Sequence, residues 1–521
     1  MGRRLTPDLR SGTTIGAVLA RTARRVPDKT ALVFEGKRLS YAGLDALSNR
    51  LAHALIDLGA RRGVKVGLLS RNSDAFAIVH FAVAKSGATL VPLNYLLAPA
   101  ELEYVITHSD TEIVFFSEEF SAVIAQLRPR LPANRYVAIG NAPEWASCYE
   151  QLIAEGPTSE PSATVSEDDD YTLMYTSGTT GRPKGVLSSH RSRIEVAIQG
   201  VIDYQMREEQ VTVLPLPMFH MGGLNTCFMS HMLSGATMLL MSRFDVDGVL
   251  ALAERERATY LFLAPSPMYS IIESPQLARY DHSSVRFWMY GGAPMPQEIF
   301  EKARALLPHI RFIQGYGSTE AGQLSVLRPE DHPGHSGTAG TPCCLANVRV
   351  VAPEGRDVLP GEVGEIVARG PQVMRAYYKA PEDTAEAFRD GWLHTGDLAR
   401  LDPGGFIAIV DRTKDMIISG SENIYPKEVE EVLYRHPAVQ DAAVFGVPDS
   451  KWGESVCAAI VLKTGAAASE SELIEFCQTE LASYKKPRKI QFLESMPRTS
   501  IGKIAKAQLR EPYWRGSGRK I

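Results

Sequence analysis

The sequence YTSGTTGRPKGV, residues 175–186, combines three glycines, three threonines and a serine, and it closes with a proline and a lysine. Glycine permits positive φ and close backbone approach, so such a loop can fold N–H groups and hydroxyls around an anion. Lys184 adds a positive charge at its end. The P-loop spacing G-x-x-x-x-G-K-[ST] is not met, because Lys184 follows Pro183 and precedes Gly185. The stretch therefore predicts a phosphate-binding loop of another kind.

A flexible serine–glycine linker is the alternative interpretation of this composition. It is disfavoured because the strand-like segment 171–175 runs directly into the loop.

The overall composition is that of an ordinary globular protein. Of 521 residues, 45% are hydrophobic and 22% are charged, and the length indicates two or more domains. A net charge of −4 gives no electrostatic reason to expect nucleic acid or an anionic membrane as a partner. The six cysteines show neither C-x-x-C pairs nor cysteine–histidine ligand spacing, which favours a reducing compartment over disulfides or a zinc site.

The sequence predicts neither a membrane span nor a secretory signal. No apolar run approaches the roughly 20 residues that cross a bilayer, and Met1–Thr6 lacks the apolar core of a signal peptide. Met1–Thr6 matches the myristoylation pattern M-G-x-x-x-[ST], a match that we interpret as chance. We therefore expect a cytoplasmic protein.

Short apolar strands alternate with amphipathic helices in the first part of the chain. Strands are predicted at residues 31–34 and 64–69, and leucines at helical spacing predict a helix over 41–58 with Gly59 at its C-cap. This alternation is typical of α/β layers with a largely parallel sheet.

Three later strands are each followed by a loop of polar residues and glycines. The strands are predicted at residues 211–216, 287–290 and 310–314. The loops contain His220, the GGAP segment 291–294 and the segment 315–320. Because loops at the carboxyl ends of parallel strands meet at one sheet edge, we expect them beside the phosphate loop. Tyr316 offers a flat face to a base, and Glu320 offers a carboxylate to Mg²⁺ on a nucleotide.

From Cys344 onward the composition favours β-structure. Strands at 348–351, 364–368 and 406–410, joined by glycine turns, predict a small barrel or sandwich. Within it Asp397 follows a glycine and suits a ribose diol, and a carboxylate-rich turn is predicted at 411–415. The rest of the chain predicts a small α+β domain, with helices at 426–434 and 471–481 and strands at 442–446, 455–462 and 489–492. Its last feature is a glycine turn that presents Lys503.

Five motifs follow one another in order along the chain. They are YTSGTTGRPKGV (175–186), YGSTE (316–320), WLHTGD (392–397), DRTKDMIISGSENIYP (411–426) and PRTSIGK (497–503). Together they resemble the adenylate-forming superfamily of acyl-CoA synthetases, peptide-synthetase adenylation domains and beetle luciferases, from about residue 14 to about residue 510.

The resemblance implies a combined α/β and α+β fold. A large N-terminal domain of layered parallel sheets with a β-rich subdomain would span residues 1–412, and a small mobile α+β domain would span 413–521, with a hinge near Lys414. It also implies two half-reactions that involve ATP, Mg²⁺ and CoA. A carboxylate attacks the α-phosphorus of ATP and releases pyrophosphate, and a thiol then attacks the acyl carbon and releases AMP.

The resemblance also implies roles for matched positions. The β- and γ-phosphates would be held by Thr176, Ser177, Gly178, Thr179, Thr180, Gly181 and Lys184. The adenosine and the α-phosphate would be held by Gly292, Ala293, Pro294, Tyr316, Gly317, Thr319, Asp397 and Arg412, with the last two residues at the ribose. Glu320 would hold Mg²⁺, and Lys503 would bridge the carboxylate and the α-phosphate as the catalytic lysine. His220, Glu320 and Thr176 complete the implied catalytic set.

Rotation about Lys414 would withdraw Lys503 and present the other face of the small domain. On that face Gly420 would border the pantetheine tunnel, and Trp452, Lys486 and Arg488 would contact the CoA nucleotide. Aromatic faces suit adenine and cations suit phosphates. Ser421 stands where many relatives have a second glycine, and a serine there could narrow the tunnel.

The acid itself is constrained only in outline. Amino-acid-activating relatives place an aspartate just after the phenylalanine that here is Phe219, and no acidic residue occurs through Asn225, so we expect an acid without an α-amino group. His220 is interpreted as a gate at the acyl entrance. Gly291 and Gly315 would leave room in the acyl pocket, as would Gly292, with Met221 and Gly222 at its entrance. This disfavours acetate and leaves a medium- or long-chain fatty acid or an aryl acid open.

Two other functions remain open at this stage. One is a free-standing adenylating enzyme that loads the phosphopantetheine of a carrier protein, and the other is a non-catalytic acyl- or nucleotide-binding scaffold. Trp452, Lys486 and Arg488 favour CoA over a carrier protein, and intact Glu320 and Lys503 argue against a scaffold. A homodimer is left open, and nothing in the sequence points to luciferase-type oxygenation.

Overall fold

A computed structural model of the chain describes residues 13–176, 183–293, 295–413, 415–419, 422–449, 452–499 and 503–515. Its helices are α1 (Ile15–Arg25), α2 (Tyr41–Asp57), α3 (Asp74–Ser86), α4 (Pro99–His108), α5 (Ser121–Leu127), α6 (Tyr149–Ala154), α7 (His190–Asp203), α8 (Ser230–Ser234), α9 (Val246–Arg255), α10 (Pro265–Ile272), α11 (Gln297–Leu306), the kinked turn α12 (His332–His335), α13 (Pro381–Ala387), α14 (Pro426–Tyr434), α15 (Glu470–Glu480) and α16 (Lys506–Trp514). Short 3₁₀ turns cover Glu118–Phe120, Arg128–Arg130 and Pro275–Arg279, and a π-helical segment covers Gly222–Met229.

Two large sheets form the core of the N-terminal domain. Their strands are β1 (Thr30–Phe34), β2 (Lys37–Ser40), β3 (Lys65–Leu69), β4 (Thr89–Pro92), β5 (Thr111–Ser117), β6 (Arg135–Ile139), β7 (Ser147–Cys148), β8 (Asp170–Thr176), β9 (Lys184–Ser189), β10 (Val211–Leu214), β11 (Thr237–Leu240), β12 (Tyr260–Leu263), β13 (Phe287–Gly291), β14 (Arg311–Ser318), β15 (Gly322–Leu327) and β16 (Thr341–Pro342), together with β19 (Ala376–Tyr377). The order is β19-β9-β8-β4-β3-β5-β6-β7 in one sheet and β16-β15-β14-β13-β12-β10-β11-β1-β2 in the other. The predicted parallel layers are confirmed, because β4, β3, β5, β6 and β7 run parallel, as do β14, β13, β12, β10, β11 and β1.

Local signals in the sequence explain several of these boundaries. Ser40 caps α2 by accepting a hydrogen bond from the backbone N–H of Gly43, and Gly59 beyond the helix adopts φ of +92°. Ser73 caps α3, which ends at Gly87 with φ of +79°. The predicted helix over 41–58 is therefore confirmed to within one residue.

The third sheet corrects the prediction of a small barrel or sandwich. Its strands are β17 (Asn347–Val351), β18 (Val363–Arg369), β20 (Phe388–Arg389), β21 (Trp392–Leu401) and β22 (Ile407–Arg412). The order β17-β18-β21-β20, with β22 also on β21, is an open antiparallel sheet. Asp397 lies inside β21. The turn predicted at 411–415 begins where β22 ends at Arg412, whose carbonyl accepts from the backbone N–H groups of Asp415 and Met416. Single-strand patterns carry no information about whether the first and last strands close on each other.

The small C-terminal domain is α+β, as predicted. It consists of β23 (Ile417–Ser419), β24 (Glu422–Ile424), β25 (Val439–Asp449), β26 (Gly453–Leu462) and β27 (Lys489–Phe492) with α14, α15 and α16. Side chains of α14 and α15 pack on one face of this sheet, and Leu509 of α16 packs on the other. The boundary at residue 412 stays a prediction, and Lys414 lies outside the described residues.

The sheet topology fixes where a site can form. The carboxyl ends of β10, β12, β13 and β14 meet at one edge, which is where open α/β sheets bind ligands. Strand β14 does not stop at Gln314 as predicted. It continues through Ser318 because β15 returns antiparallel beside it, so Tyr316 and Gly317 are strand residues. No helix in the described ranges is long and apolar enough to cross a membrane.

Candidate active site

Glu320 and Thr176 meet where the two large sheets approach each other. Thr176 Oγ1 donates a hydrogen bond to Glu320 Oε1 over 3.4 Å, and Tyr377 Oη donates to the same oxygen over 3.2 Å. The backbone carbonyl of the preceding Thr319 accepts from Arg193 Nη2 over 2.9 Å. Arg193 is fully buried, so this contact fixes the turn at Thr319 and Glu320 to the protein core. The structure therefore brings together three residues, Thr176, Thr319 and Glu320, that the sequence assigned to the phosphates and Mg²⁺.

The rest of the phosphate loop is described only at its end. Ser177, Gly178, Thr179, Thr180 and Gly181 lie outside the described residues. Lys184 begins β9, and its Nζ lies 2.6 Å from Asp383 Oδ1 and 5.2 Å from the centre of the Tyr377 ring.

Tyr316, Asp397 and Arg412 form one hydrogen-bonded group. Tyr316 Oη donates to Asp397 Oδ2 over 2.6 Å, and Arg412 Nε donates to Asp397 Oδ1 over 3.1 Å. The backbone N–H of Thr413 donates to the carbonyl of Gly396 over 2.8 Å and holds β22 against β21. Burial, together with the Asp397 carboxylate, raises the pKa of Tyr316 well above its usual 10, so the phenol stays a donor. Tyr316 of the predicted adenine slot is thus a neighbour of Asp397 and Arg412, the two residues predicted for the ribose.

Glycine occurs at this sheet edge for two different structural reasons. Gly291 of β13 pairs with Gly315 of β14, and a Cβ on Gly291 would lie 2.3 Å from the carbonyl oxygen of Gly315. The expectation that Gly291 leaves room for an acyl group is wrong, because backbone fills that space. A Cβ on Gly315 would lie 2.7 Å from Met289 Cε and 2.8 Å from Tyr204 Oη. The expectation that Gly315 leaves room for an acyl group is wrong as well, because the side chains of Met289 and Tyr204 fill that space.

Gly222 and Gly292 do face open space. A Cβ at either position would meet no heavy atom within 4 Å. Gly292 has φ of +82°, so a side chain there would also strain the backbone. Ala293 follows it, and Pro294 lies outside the described residues.

His220 and Lys503 reach the site from different domains. His220 follows β10, and its ring lies against Phe219 with centroids 4.3 Å apart. Burial lowers the pKa of His220 to about 3, and the positive charge of Lys503 contributes. The imidazole is therefore neutral at physiological pH. The carbonyl of Lys503 accepts a hydrogen bond from the backbone N–H of Thr499 over 2.6 Å.

Two of the residues predicted to contact CoA also meet. The Arg488 guanidinium lies 5.3 Å from the centre of the Trp452 ring, the geometry of a cation–π contact. Lys486 Nζ lies 2.6 Å from Gln478 Oε1 of α15 instead. Gly420 and Ser421 lie outside the described residues.

The geometry agrees with comparisons to known proteins. Residues 19–378 match the family described as AMP-binding enzyme, and residues 428–503 match the AMP-binding enzyme C-terminal domain. The chain belongs to the AMP-binding enzyme family. It is a member of the adenylate-forming superfamily of acyl-CoA synthetases, as the motif order predicted.

Relatives of this AMP-binding enzyme cover nearly its whole length. It is 37% identical over 504 residues to a feruloyl-CoA synthase from Amycolatopsis sp, which covers 96% of this chain and 99% of the relative. It is 37% identical over 479 residues to the long-chain-fatty-acid–CoA ligase FadD13 of Mycobacterium tuberculosis, covering 91% and 93%. It is 35% identical over 507 residues to the fatty acid–[acyl-carrier-protein] ligase ScoC of Streptomyces coeruleorubidus, covering 96% of each.

A solved structure shows the same fold. The anthranilate CoA ligase AuaEII, in complex with anthranoyl-AMP, superposes on the AMP-binding enzyme with a TM-score of 0.91. The two sequences are 28% identical, and the match covers 98% of this chain and 99% of that one.

Sequence reasoning missed four residues of this AMP-binding enzyme's site. They are Arg193, Tyr204, Tyr377 and Asp383. Arg193 gave no distinctive signal, because α7 carries other polar residues such as Arg191 and Glu195. The others had none either, because their contacts depend on the pairing of β19 with β9 and of β13 with β14.

Glu320 is the carboxylate that fits a nucleotide-bound Mg²⁺. Among the residues that the structure describes, no group of three histidine, cysteine, aspartate or glutamate side chains could hold a metal by itself. Mg²⁺ in nucleotide sites usually takes one or two carboxylates and completes its shell with phosphates and water, so one carboxylate is sufficient.

Proposed function

We propose that this AMP-binding enzyme is an ATP-dependent acyl-CoA synthetase for a fatty or aryl acid. It is an acid–thiol ligase of the AMP-forming kind. The observation that carries the proposal is that Thr176 bonds to Glu320 while Tyr316 and Arg412 bond to Asp397, so the groups proposed for phosphate, Mg²⁺ and nucleoside are joined through the segment 316–320. Burial lowers the pKa of the nearby His220, and the positive charge of Lys503 from the small domain contributes.

In the first half-reaction, a carboxylate oxygen of the acid attacks the α-phosphorus of ATP. One P–O bond forms, and the P–O bond to the β-phosphate breaks as pyrophosphate leaves. Negative charge concentrates between the carboxylate and the α-phosphate, and the Lys503 ammonium stabilises it there. Because His220 is neutral, it does not form an ion pair that would stabilise the carboxylate of the bound acid before the reaction.

The nucleotide would be positioned by the groups already described. Tyr316, Asp397 and Arg412 would hold the nucleoside, and Thr176, Thr319 and Lys184 would hold the phosphates. Mg²⁺ at Glu320 would supply charge neutralisation on the phosphate oxygens. In such transfers positioning and electrostatics provide most of the rate enhancement.

In the second half-reaction, the thiol of CoA attacks the acyl carbon. A C–S bond forms, the C–O bond to AMP breaks, and the thiol proton is released. Trp452 and Arg488 would hold the CoA nucleotide, and Gly420 would border the pantetheine. Rotation near Lys414 would exchange this face of the small domain for the one that carries Lys503.

The acid is proposed to lack an α-amino group. Open space at Gly222 and Gly292 supports a substrate larger than acetate. The named substrates of the relatives include both aryl and fatty acids. An apolar pocket separates neighbouring chain lengths by only about 1–3 kcal/mol per methylene, so we expect activity with several related acids.

The proposal is tested by pyrophosphate and AMP release with a panel of acids. The panel runs from acetate through fatty acids of increasing length to benzoates and cinnamates, each with and without CoA. We expect AMP turnover that requires both CoA and one class of acid. Pyrophosphate release without stimulation by CoA would favour a carrier-protein loader, which the similarity to ScoC keeps as a second candidate. No release with any acid would favour a non-catalytic scaffold.

A further inference from the structure

Arg498 bonds to both domains next to the loop that carries Lys503. Its Nη1 donates to Ser266 Oγ over 2.9 Å, and its Nη2 forms an ion pair with Asp441. Ser266 lies in the first turn of α10 in the large domain, and Asp441 lies in β25 of the small domain. One side chain therefore spans the boundary between the domains.

Arg498 and Lys503 lie on two segments, 497–499 and 503–505, that are hydrogen-bonded to each other. The backbone N–H of Lys503 donates to Thr499 Oγ1 over 3.2 Å, and the backbone N–H of Ala505 donates to the carbonyl of Pro497 over 2.8 Å. Arg498 and Ile504 pair as an isolated antiparallel bridge. Because these contacts join residues 497–499 to residues 503–505, a constraint on Arg498 is passed to Lys503.

The small domain also orients the Arg498 side chain. Asp441, which binds Nη2, is itself fixed because its Oδ1 accepts from Tyr434 Oη over 2.6 Å. The planar guanidinium presents its donors in a fixed fork, so the arm held by Asp441 directs the other arm outward. That arm meets α10, the helix that follows β12 at the ligand-binding edge.

We propose that Arg498 is a positioning residue for acyl-adenylate formation. Its bond to Ser266 holds the Lys503 loop over the site, and rotation of the small domain for the thioester step breaks it. This inference rests on the proposed two-step function. A partly exposed hydrogen bond of this kind is strong enough to bias the arrangement and weak enough to break in every cycle.

The first test measures the two half-reactions separately. Ser266→Ala removes only the acceptor in the large domain, and Arg498→Gln removes the donor. We expect Ser266→Ala to slow pyrophosphate release without CoA by about threefold to tenfold, since it loses one hydrogen bond. The KM for ATP and the rate of acyl-CoA formation from supplied acyl-adenylate should stay unchanged. Arg498→Gln should slow the first step further.

Ser270→Ala is the matched control, because among the described residues this exposed hydroxyl bonds only to the carbonyl of Ser266, within α10. It should leave both half-reactions unchanged. Equal slowing of both steps in Ser266→Ala, or a normal first step in both Ser266→Ala and Arg498→Gln, would overturn the inference. If Arg498→Gln fails to fold, Ser266→Ala still decides, because it changes the other domain.

A second test does not depend on activity. The double variant Ser266→Cys with Arg498→Cys is treated with a short bismaleimide, and each single variant controls for the native cysteines. We expect an intramolecular cross-link only in the double variant. Absence of the cross-link would overturn the inference even if the enzyme ligates acids to CoA. Its presence, with no adenylation by the wild type, would instead point to failure of the proposed function.

Discussion

At the scale of single residues, Lys503 should matter to one half-reaction only. Lys503→Ala removes the cation that stabilises charge between the carboxylate and the α-phosphate, and it should slow adenylate formation by at least about 10²–10³-fold. Acyl-CoA formation from supplied acyl-adenylate should be spared. Lys463→Ala, an exposed lysine of the same domain, is the control. Equal loss of both steps would contradict the assigned role.

Asp383 should set the affinity for ATP through Lys184. We propose that the Lys184 ammonium binds the phosphates of ATP, and its ion pair with Asp383 competes with that binding. The Asp383 carboxylate would also repel the phosphates. Asp383→Asn should therefore lower the KM for ATP by roughly twofold to fivefold, in line with a partly exposed ion pair. Glu382→Gln, on the same turn of α13 but exposed, should change nothing. An increased KM in Asp383→Asn would show that the pair positions Lys184 instead.

The sequence could predict a site residue when that residue belongs to a motif that has a fixed place in the chain. Thr176, Glu320 and Asp397 are of this kind. Asp383 is not, because it is 199 residues from Lys184 and meets it only after β19 has paired with β9. Gly291 was assigned to the acyl pocket incorrectly. A glycine looks the same in the sequence whether backbone or a ligand fills the space that a side chain would take.

At the scale of elements, the connection between β22 and β23 should act as the hinge. Strand β22 ends at Arg412 in the large domain's third sheet, and β23 begins at Ile417 in the small domain's sheet. Lys414→Pro restricts φ in between, so it should impair mainly the thioester step, which needs the rotation. Adenylate formation should persist. Normal steady-state turnover in this variant would place the hinge elsewhere.

Elements were predicted well where the signal was local. The C-terminal glycine of α2 and the bounds of α14 and β27 are local, and the structure reproduces them. The continuation of β14 to Ser318 depends on β15 returning beside it, and the open shape of the third sheet depends on which strands pair. Both are properties of pairs of elements, which a single segment does not encode.

At the scale of the whole molecule, stability should fall on mild acidification. Burial lowers the pKa of His80 to about 3 and those of His190, His231 and His332 to about 4. Below the usual pKa of 6.5 the unfolded chain binds protons at these sites that the folded chain does not. Each of these histidines should then lower the free energy of unfolding by up to about 1.4 kcal/mol for each unit that the pH falls below 6.5.

The urea or thermal midpoint should therefore fall steadily from pH 7 to pH 5. His190→Asn keeps an acceptor for the backbone N–H of Ile15 and removes one titrating group, so it should reduce the slope. His309→Gln, at the surface, is the matched control. A midpoint that is flat between pH 7 and pH 5 would contradict this account.

Asp397 has both oxygens engaged by Tyr316 and Arg412, and Lys184 rests on Asp383. A nucleotide that binds to these groups would replace hydrogen-bond and ion-pair partners that they already have. Little free energy would therefore be gained on binding. Weak retention suits a catalyst that must let its spent nucleotide depart in every turnover. The same exchange would run in reverse when AMP dissociates. Tyr316, Arg412 and Asp383 would then return to their present partners, so these charges would be paired at every stage of the cycle.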